Sequence, residues 1–231
     1  MAYQKTTWVN GQSPAIDAEH LNKIEQGIAD AAPGGYGLGS DAKLLTSNDD
    51  VNTIGASGWY SWVSSSAPTN AIIVAYLTIM RVDAYSSGVK VQTLYGATDG
   101  EDFITQPIVV RRMIYGSKIG AWEWVNPKMY LGVEYRTTER YLGKPVYVKA
   151  VNFGALPNAT IKRVTHGISS VARCVRCCAN FNTGDMRSIP YAEASVRCDI
   201  FGDTSGINVY TPNDLSSITA TGTIWVTKTT D

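Results

Sequence analysis

The segment EYRTTERYLGKPVYVKAVNFGALPN, Glu134–Asn158, decides the fold of the C-terminal half of the chain. It begins with polar and charged residues, passes a turn signal at Gly143–Pro145, and continues as the alternating run Val146–Val151 before a second turn signal. Alternation with a period of two indicates a strand with one buried face. The segment therefore predicts a strand bounded by two turns, and no catalytic motif lies near it.

The rest of the region 128–231 repeats this pattern. Six segments have strand character: PVYVKAV, ATIKRVTH, ARCVRCCANF, AEASVRCDIF, INVYT and SITATGTIWVTKT. Turn signals in GALPN, NTGD, FGDTSG and TPND separate them at a spacing of roughly 8–12 residues, which is typical of a sandwich. We therefore expect an antiparallel β-sandwich over residues 128–231.

The last of these strands has two distinct faces. The small and apolar face consists of Ile218, Ala220, Gly222, Ile224 and Val226, and the opposite face consists of Thr219, Thr221, Thr223, Trp225 and Thr227. Such alternation predicts one face against the core. A threonine face that carries one tryptophan suits contact with another chain as well as contact with water.

Residues 41–127 predict a smaller unit of the same class. The segments GWYSW, AIIVAYLTIM, VKVQTLYG, PIVVRRMIYG and GAWEWVNP have strand character and are separated by turn signals such as PTN and DGED. In the last segment, Trp122 and Trp124 are expected on one strand face and Glu123 on the other. The pattern favours a small antiparallel meander or an α+β unit.

Residues 14–32 predict the one convincing helix, with Asp17 as its N-cap. Its apolar positions Leu21, Ile24, Ile28 and Ala31 follow a spacing of 3, 4 and 3. This is a heptad seam, and leucine at a with isoleucine at d favours three or four helices over two. Packing of the helix on its own domain remains an alternative, because two heptads are a short sample.

The segment PGGYGLGS, residues 33–40, comes directly after this helix. Its glycines do not form a dinucleotide-binding motif, because position 40 is Ser40 and because a helix, not a strand, precedes the segment. We interpret it as a flexible linker or chain reversal. The linker detaches the helix from the next domain, which favours burial of the seam against other copies.

The composition points to an all-β protein and away from nucleic acid. Lys plus Arg and Asp plus Glu number 20 each, so the formal net charge is zero, whereas nucleic-acid binders carry a basic excess or stripe. Charged residues are only 17%, and the chain has 13 Tyr, 6 Trp and 21 Gly, with abundant Ser, Thr and Asn. Such usage is typical of strands joined by many turns.

The N-terminal sequence lacks the apolar run of a signal peptide. The longest apolar run, Ala71–Met80, is too short for a membrane-spanning helix, which needs about 20 residues. We therefore expect synthesis in a cytoplasm, no membrane insertion, and reduced thiols at Cys174, Cys177, Cys178 and Cys198.

No motif predicts catalysis. The chain has two histidines, His20 on the helix and His166 in or beside a strand, and no nucleophile elbow accompanies them. The carboxylates Asp99, Glu101 and Asp102 resemble a glycosidase pair in type, but a solvated hairpin tip is the commoner explanation.

The four cysteines and His166 raise the question of a metal site. In a regular strand, Cys174 and Cys178 would lie on one face and Cys177 on the other, so that one ion would not reach all three sulfurs. We predict packed small side chains, no metal and no cofactor, with a metal cluster as the alternative.

Three groups of motifs resemble phage and prophage tail-fibre or receptor-binding proteins, in the order that the family has them. Residues 132–158 resemble the start of the family's C-terminal domain, and WVTKTTD at the end is similar to a strand followed by YTKTTD, with departures at Trp225 and Val226. Residues 58–127, from GWYSW through PTNA to AWEWVNP, resemble a pyocin-knob domain. Residues 8–31 resemble the N-terminal attachment helix of such fibres.

The resemblance implies a mainly β, non-enzymatic homotrimer of the virion tail. Residues 1–40 would hold the attachment and coiled-coil helix with its linker, residues 41–127 the knob-like domain, and residues 128–231 the β-sandwich head. The implied partners are the tail baseplate or a fibre-attachment protein, and a host cell-surface glycan. Segment 136–146 is expected to be an arm whose charges pair across protomers; these are Arg136, Glu139, Arg140 and Lys144.

Two alternatives remain open, a fibre-borne polysaccharide depolymerase and a purely structural baseplate component. Within the head, the predicted receptor contacts are polar turn residues, namely Asn182, Asp185, Arg187 and Asp203. For each of these residues, simple solvation of a turn is the alternative.

Overall fold

The computed structural model describes residues 18–31, 42–72, 75–86, 88–97, 108–182, 188–190, 192 and 196–230. Within them it contains one helix, α1 (Ala18–Ala31), one 3₁₀ turn (Ser64–Ser66) and the following strands: β1 (Lys43–Leu44), β2 (Gly58–Val63), β3 (Leu77–Ser86), β4 (Val89–Ala97), β5 (Ile108–Tyr115), β6 (Lys118–Ile119), β7 (Glu123–Trp124), β8 (Glu134–Tyr141), β9 (Lys144–Ala155), β10 (Ile161–Thr165), β11 (Val171–Phe181), β12 (Ser188–Ile189), β13 (Asp199–Gly202), β14 (Gly206–Tyr210) and β15 (Thr219–Lys228). The chain is mainly β, as predicted.

The helix α1 begins at Ala18, the residue after the predicted N-cap. Leu21 is 51% exposed and Ile24 is half-buried. The side chains of Ile28 and Ala31 lie outside the described residues, as do the predicted linker 33–40 and the turn carboxylates Asp99, Glu101 and Asp102. Trimerisation through the seam stays a prediction. No helix in the described part of the chain is long and apolar enough to cross a bilayer.

The chain divides into two compact units. One comprises the chain before residue 108 together with Arg112–Gly120, and the other comprises Ile108–Arg111 together with Ala121–Asp231. The strand β5 therefore contributes its first half to the second unit and its second half to the first. The division of the sequence into three domains stays a prediction.

In the first unit, the strands have the order β1-β2-β3-β4-β5, with β6 paired to β5. The central strands β2, β3 and β4 form an antiparallel meander, and β1 pairs in parallel with β2. Alternation buries Tyr60 and Trp62 of β2 and Met80 and Val82 of β3. The apolar run predicted as a strand begins at Ala71, and β3 begins within it at Leu77.

A buried polar layer ties a loop of the first unit to its sheet. The amide Nε2 of Gln92 donates to the Val51 carbonyl at 2.6 Å, and its Oε1 accepts from Nε of Arg112 at 2.9 Å. Lys90 donates to the carbonyls of Asn52 and Ile54. Burial lowers the pKa of Arg112 to about 10, although the guanidinium stays charged at neutral pH. These bonds satisfy loop carbonyls that burial would otherwise leave unpaired.

The second unit contains two sheets. One has the strand order β7-β8-β9-β15-β11-β12, in which β7 and β8 run parallel and the other pairs are antiparallel, and the other sheet has the order β10-β14-β13. The core lies between them. It includes Phe153 of β9, Phe181 of β11, Ile224 of β15, and Ile207 and Val209 of β14, all nearly inaccessible. This arrangement is the expected antiparallel sandwich.

The strands β8 and β9 form a hairpin whose turn is Leu142-Gly143, one residue earlier than the sequence predicts. Tyr141 pairs with Lys144, and Leu142 and Gly143 have φ values of +48° and +78°. Positive φ at both positions is the mark of a two-residue hairpin turn whose twist matches the strands. Glycine suits this conformation, whereas Leu142 adopts it with its side chain 83% exposed.

The expected charged arm is the strand β8, and its charges pair within the chain. The carboxylate of Glu123 accepts from Arg136 at 3.2 Å and from Arg140 at 2.5 Å. Both oxygens of Glu139 accept from Arg176 of β11, at 2.6 and 2.8 Å. Arg136, Glu139 and Arg140 thus have partners within the chain, and pairing of the arm across protomers stays a prediction.

The alternation predicted for β15 is present. Ala220, Gly222, Ile224 and Val226 are buried against the core, while the threonine face is exposed or half-buried except at Thr227. Trp225 carries the guanidinium of Arg176 over its ring, 4.5 Å from the centroid. The side chain of Arg176 therefore covers part of Trp225, the residue for which the sequence suggests contact with another chain.

Candidate functional site

Asp203, one of the predicted receptor contacts, lies in the turn between β13 and β14 and organises that turn. Its carboxylate accepts from the backbone N–H groups of Ser205 and Gly206 at 2.8 and 2.9 Å, and from Arg163 at 2.6 Å. The side-chain amide of Asn208 donates to its other oxygen at 3.1 Å. These bonds, led by that from Ser205, hold the pKa of Asp203 well below its usual value. The geometry favours the turn-stabilising alternative, and a receptor role for Asp203 stays a prediction.

Asn182 comes directly after β11 and is held across the sheet. Its Oδ1 accepts from the hydroxyl of Thr221 at 2.9 Å, and its backbone N–H donates to the Thr219 carbonyl at 2.8 Å. The other two predicted contacts, Asp185 and Arg187, lie outside the described residues. Of the two predicted contacts that the structure describes, Asn182 follows β11 and Asp203 lies between β13 and β14.

A different feature of the second unit has the shape of a ligand site. It is an open groove of about 540 Å³ at one edge of the sandwich. The strand β9, the segment before β8 and the segment after β10 form its walls, which are lined by Leu131, Gly132, Lys149, Val151, Asn152, Thr165, His166 and Gly167. The volume lies within the range of small-molecule sites, which is about 300–1,000 Å³.

The backbone brings these three segments together. Leu131 forms a parallel bridge with Ala150, and the N–H of Gly132 donates to the Ala150 carbonyl at 2.8 Å, so that this segment runs along β9 beyond the start of β8. The ammonium of Lys162 on β10 donates to the carbonyls of Phe153 and Ala155 at 3.1 and 2.6 Å. This lysine ties β10 to β9 and so fixes the two sides of the groove.

Lys149 supplies the positive charge of the groove. It pairs with Ile224 in the sheet and so belongs to the face of β9 that is turned toward the core, yet it is only half-buried. Its Nζ lies 3.5 Å from the position that a Cβ of residue 167 would take, beside the wall formed by Gly167. Gly167 has φ of +63°, a conformation that favours glycine, and its missing side chain leaves room for the ammonium.

No other described residue holds the Lys149 ammonium in an ion pair or hydrogen bond. Glu134 lies directly across the strand pair from Lys149, but its carboxylate binds Nζ of Lys228 at 2.5 Å. Lys228 also lies over the ring of Tyr147, 4.4 Å from its centroid. The carboxylate nearest in register is thus occupied, and Lys149 is left available to a ligand.

His166 forms the buried end of the groove and is 2% exposed. Its Nδ1 accepts from the backbone N–H of Ile168 at 3.0 Å, which places the proton of the neutral ring on Nε2. Burial lowers the pKa of His166 below its ordinary value, against a smaller opposing effect of Asp203. Its Nε2 has no partner of normal geometry among the described residues. His166 is therefore neutral at physiological pH, and its Nε2 is too deeply buried to donate to a ligand in the groove.

The lining of the groove suits binding better than proton transfer. Its lining residues include no carboxylate, one cation and one neutral imidazole, together with the apolar side chains of Leu131 and Val151. General acid–base cleavage of a glycoside requires a pair of carboxyl groups. The sequence missed this site, because Lys149 lies between the apolar positions Val148 and Ala150, where alternation predicts an outward-facing side chain, whereas its pairing with Ile224 places it on the core face.

The cysteines are arranged differently from the prediction. Cys174 pairs with Val226 and Cys177 with Ile224, which share the core face of β15, whereas Cys178 pairs with Thr223 on the other face. A bulge between Cys174 and Arg176 shifts the register, so the assignment of Cys174 and Cys178 to one face is wrong. Among the residues that the structure describes, no three His, Cys, Asp or Glu side chains form a group able to hold a metal ion.

No protein-family model and no curated protein matches the chain. Three solved structures are similar to it, all pyocin tail fibres. An N-truncated R2-type fibre is 15% identical over 81% of this chain and 98% of that one, at a TM-score of 0.30. The C-terminal part of the Pseudomonas aeruginosa R2 fibre is 14% identical over 83% of this chain and 68% of that one, at a TM-score of 0.31. The C-terminal part of the Pseudomonas aeruginosa R1 fibre is 11% identical over 81% of this chain and 67% of that one, at a TM-score of 0.30.

Proposed function

We propose that this protein is a receptor-binding tail fibre of a phage or phage-like particle, which adheres through its second unit to a carbohydrate on the host cell surface. Binding is non-catalytic, the chain acts as a homotrimer, and the N-terminal helix joins it to the baseplate or to a fibre-attachment protein. Three weak sites on one particle then act together, which multiplies their effect on adhesion.

The observation that carries the proposal is the open groove at the edge of the β-sandwich. It offers hydrogen-bond donors on Lys149 and Thr165 beside the apolar surface of Val151 and Leu131. Sugars present hydroxyl groups and apolar C–H faces together, and a groove of this composition matches both. Because the groove is open, a sugar residue within a long polysaccharide fits it as well as one at the end of the polysaccharide.

The order of the sequence motifs supports the same function. An attachment-helix motif, a knob-like motif and a head motif succeed one another along the chain, as they do in tail fibres. Leu21 is half-exposed on the described helix, which leaves an apolar side chain available to a neighbouring helix.

Adhesion is tested with the full-length protein, labelled with a fluorophore and mixed with a panel of bacterial strains. We expect saturable binding to some strains, and loss of that binding after the surface polysaccharide has been stripped chemically. Lys149→Gln should weaken cell binding, whereas Lys118→Gln, which changes an exposed lysine of the first unit, should not. Absence of saturable binding to every strain of the panel would contradict the proposal.

The two alternatives give different results in the same preparation. A depolymerase would shorten purified surface polysaccharide during incubation, which gel filtration detects as a fall in chain length. A purely structural baseplate component would bind neither cells nor polysaccharide. Binding without shortening is the result that the groove supports.

A further inference from the structure

We infer that the groove selects a glycan residue bearing a negative charge, whose carboxylate or phosphate is bound by Lys149. This inference rests on the proposed adhesive function and names the class of sugar. It depends on three features of the groove. Lys149 has no internal partner among the described residues, His166 is neutral, and the lining contains no carboxylate.

The first feature is that Lys149 is charged and lacks an internal partner among the described residues. Other lysines near the groove are engaged: Lys162 donates to two backbone carbonyls, and Lys228 binds Glu134. The Lys149 ammonium stands beside Gly167 with no described anion on it. The donors of this half-buried ammonium are free for a ligand, and an anionic group pairs with them through charge-assisted hydrogen bonds.

The second feature is the neutral state of His166, which lies close enough to Lys149 for the two to influence each other. The charge of Lys149, after the larger effect of burial, contributes to lowering the pKa of His166. The ring is therefore uncharged and adds no second positive charge beside Lys149. One positive charge on the lining is balanced by one negative charge on the ligand.

The third feature is the surrounding charge. Besides Lys149, the lining residues carry no charged side chain. The nearby carboxylates of Glu134 and Asp203 are bonded to Lys228 and Arg163 respectively. An approaching anion thus meets one uncompensated positive charge and no free negative charge on this lining, while a neutral sugar gains only ordinary hydrogen bonds from the same groove.

The charge on the ligand comes from one of two sources, a sugar carboxylate or a sugar phosphate, because an ammonium binds both as a point charge. Three probes separate the sources in calorimetric titrations of the full-length protein: a trimer of galacturonic acid, the neutral trimer of galactose, and galactose 1-phosphate. We expect at least one anionic probe to bind about tenfold or more tightly than the neutral trimer, since a hydrogen bond to a charged group contributes more than one between neutral groups.

Two pairs of variants test the site. Lys149→Gln should abolish the preference for the anionic probe, while Lys149→Arg retains it. Leu131 is 56% exposed, so its substitution leaves the fold intact. Leu131→Glu should weaken anion binding more than Leu131→Gln, of the same size, because only the glutamate places a negative charge on the lining. The second pair keeps the test valid if substitution of Lys149 disturbs the fold.

The outcomes separate this inference from the proposed function. Equal affinity for neutral and anionic probes, no measurable binding of either anion, or an unchanged preference in both Lys149→Gln and Leu131→Glu would overturn the anion site. If these results occur while the wild-type protein still binds cells, the adhesive function stands and only the sugar class is wrong. If the anion binds through Lys149 but no strain is bound, the anion site stands and the adhesive function falls.

Discussion

Cys174 and Cys177 lie on the same face of β11, although three positions separate them in a strand whose faces alternate. The bulge between Cys174 and Arg176 produces this arrangement by inserting an extra residue opposite β15. Gly202 of β13 packs directly against the pair, since a Cβ at that position would lie 2.6 Å from the Cys174 sulfur. The two thiols therefore share a packed site between the two sheets.

We predict that the thiols differ in reactivity toward iodoacetamide. The hydrogen bond from the Cys177 thiol lowers the pKa of Cys174, whereas the same contact, together with burial, raises the pKa of Cys177. Burial raises the pKa of Cys198 to about 11, and this residue is fully buried. At pH 8, peptide mass spectrometry should show Cys174 modified first and Cys198 last, because the thiolate is the nucleophile. Faster modification of Cys198 would contradict its burial in the core.

The same packing bears on the prediction that the protein holds no metal. The core face carries Cys174 and Cys177, the opposite face carries Cys178, and Cys198 lies in the core. Elemental analysis should find no stoichiometric zinc, and a chelator should leave the melting temperature unchanged. One zinc per chain would reverse this assignment of the cysteines.

The pairing of Glu123 with two arginines predicts a measurable loss of stability in Glu123→Gln. Glu123 and Arg136 have side chains only 13% and 19% exposed, so the substitution removes a carboxylate charge from beside a largely buried guanidinium. We expect the free energy of unfolding in urea to fall by about 1–3 kcal/mol.

Glu139→Gln is the matched control for this change. The pair of Glu139 with Arg176 is more exposed, with side chains 39% and 49% accessible, and should contribute less than about 1 kcal/mol. If Glu123→Gln instead dissociates an oligomer without altering the unfolding of the chain, the charges of β8 pair between protomers after all.

Asp203→Asn separates a turn-stabilising role from a receptor role. An amide cannot accept all the bonds that the carboxylate receives from Ser205, Gly206, Arg163 and Asn208, so stability should fall by about 1 kcal/mol while cell binding is unchanged. Loss of cell binding at full stability would restore Asp203 as a receptor contact.

The pH dependence gives a second measurement on Asp203. Its folded pKa is depressed, so its contribution is fully present above the ordinary aspartate pKa of about 3.9 and is lost as the pH falls through the lower, folded value. The difference in stability between wild type and Asp203→Asn should therefore be constant near pH 6 and shrink progressively below about pH 4.

The apolar seam of the helix predicts a trimer. Light scattering on the full chain should give three times the chain mass of 25.0 kDa. Leu21→Asp should shift the mass toward the monomer, because it places a charge on the seam, whereas Lys23→Ala on a polar position should not. A monomer of the wild type at micromolar concentration would contradict the role of the attachment helix.

Local sequence determined the elements of this protein and their faces. The alternation of Val146, Val148 and Ala150 predicted a strand, and these three side chains are buried in β9. The same rule predicted the buried face of β15, and the cap signal placed the start of the helix. These features can be read from the sequence because hydrophobic periodicity and turn preference depend on residues a few positions apart.

Only the tertiary structure decided the pairing, the bulge and the groove. In the sheet, β15 lies between β9 and β11, although it is distant from both in sequence. The register of its pairing with β11 sets the face on which each cysteine of β11 lies. The partners of Arg136 and the availability of Lys149 depend on which carboxylates the fold brings near and which of them other cations already occupy. Such choices are made by contacts between remote segments, and no periodicity within one segment encodes them.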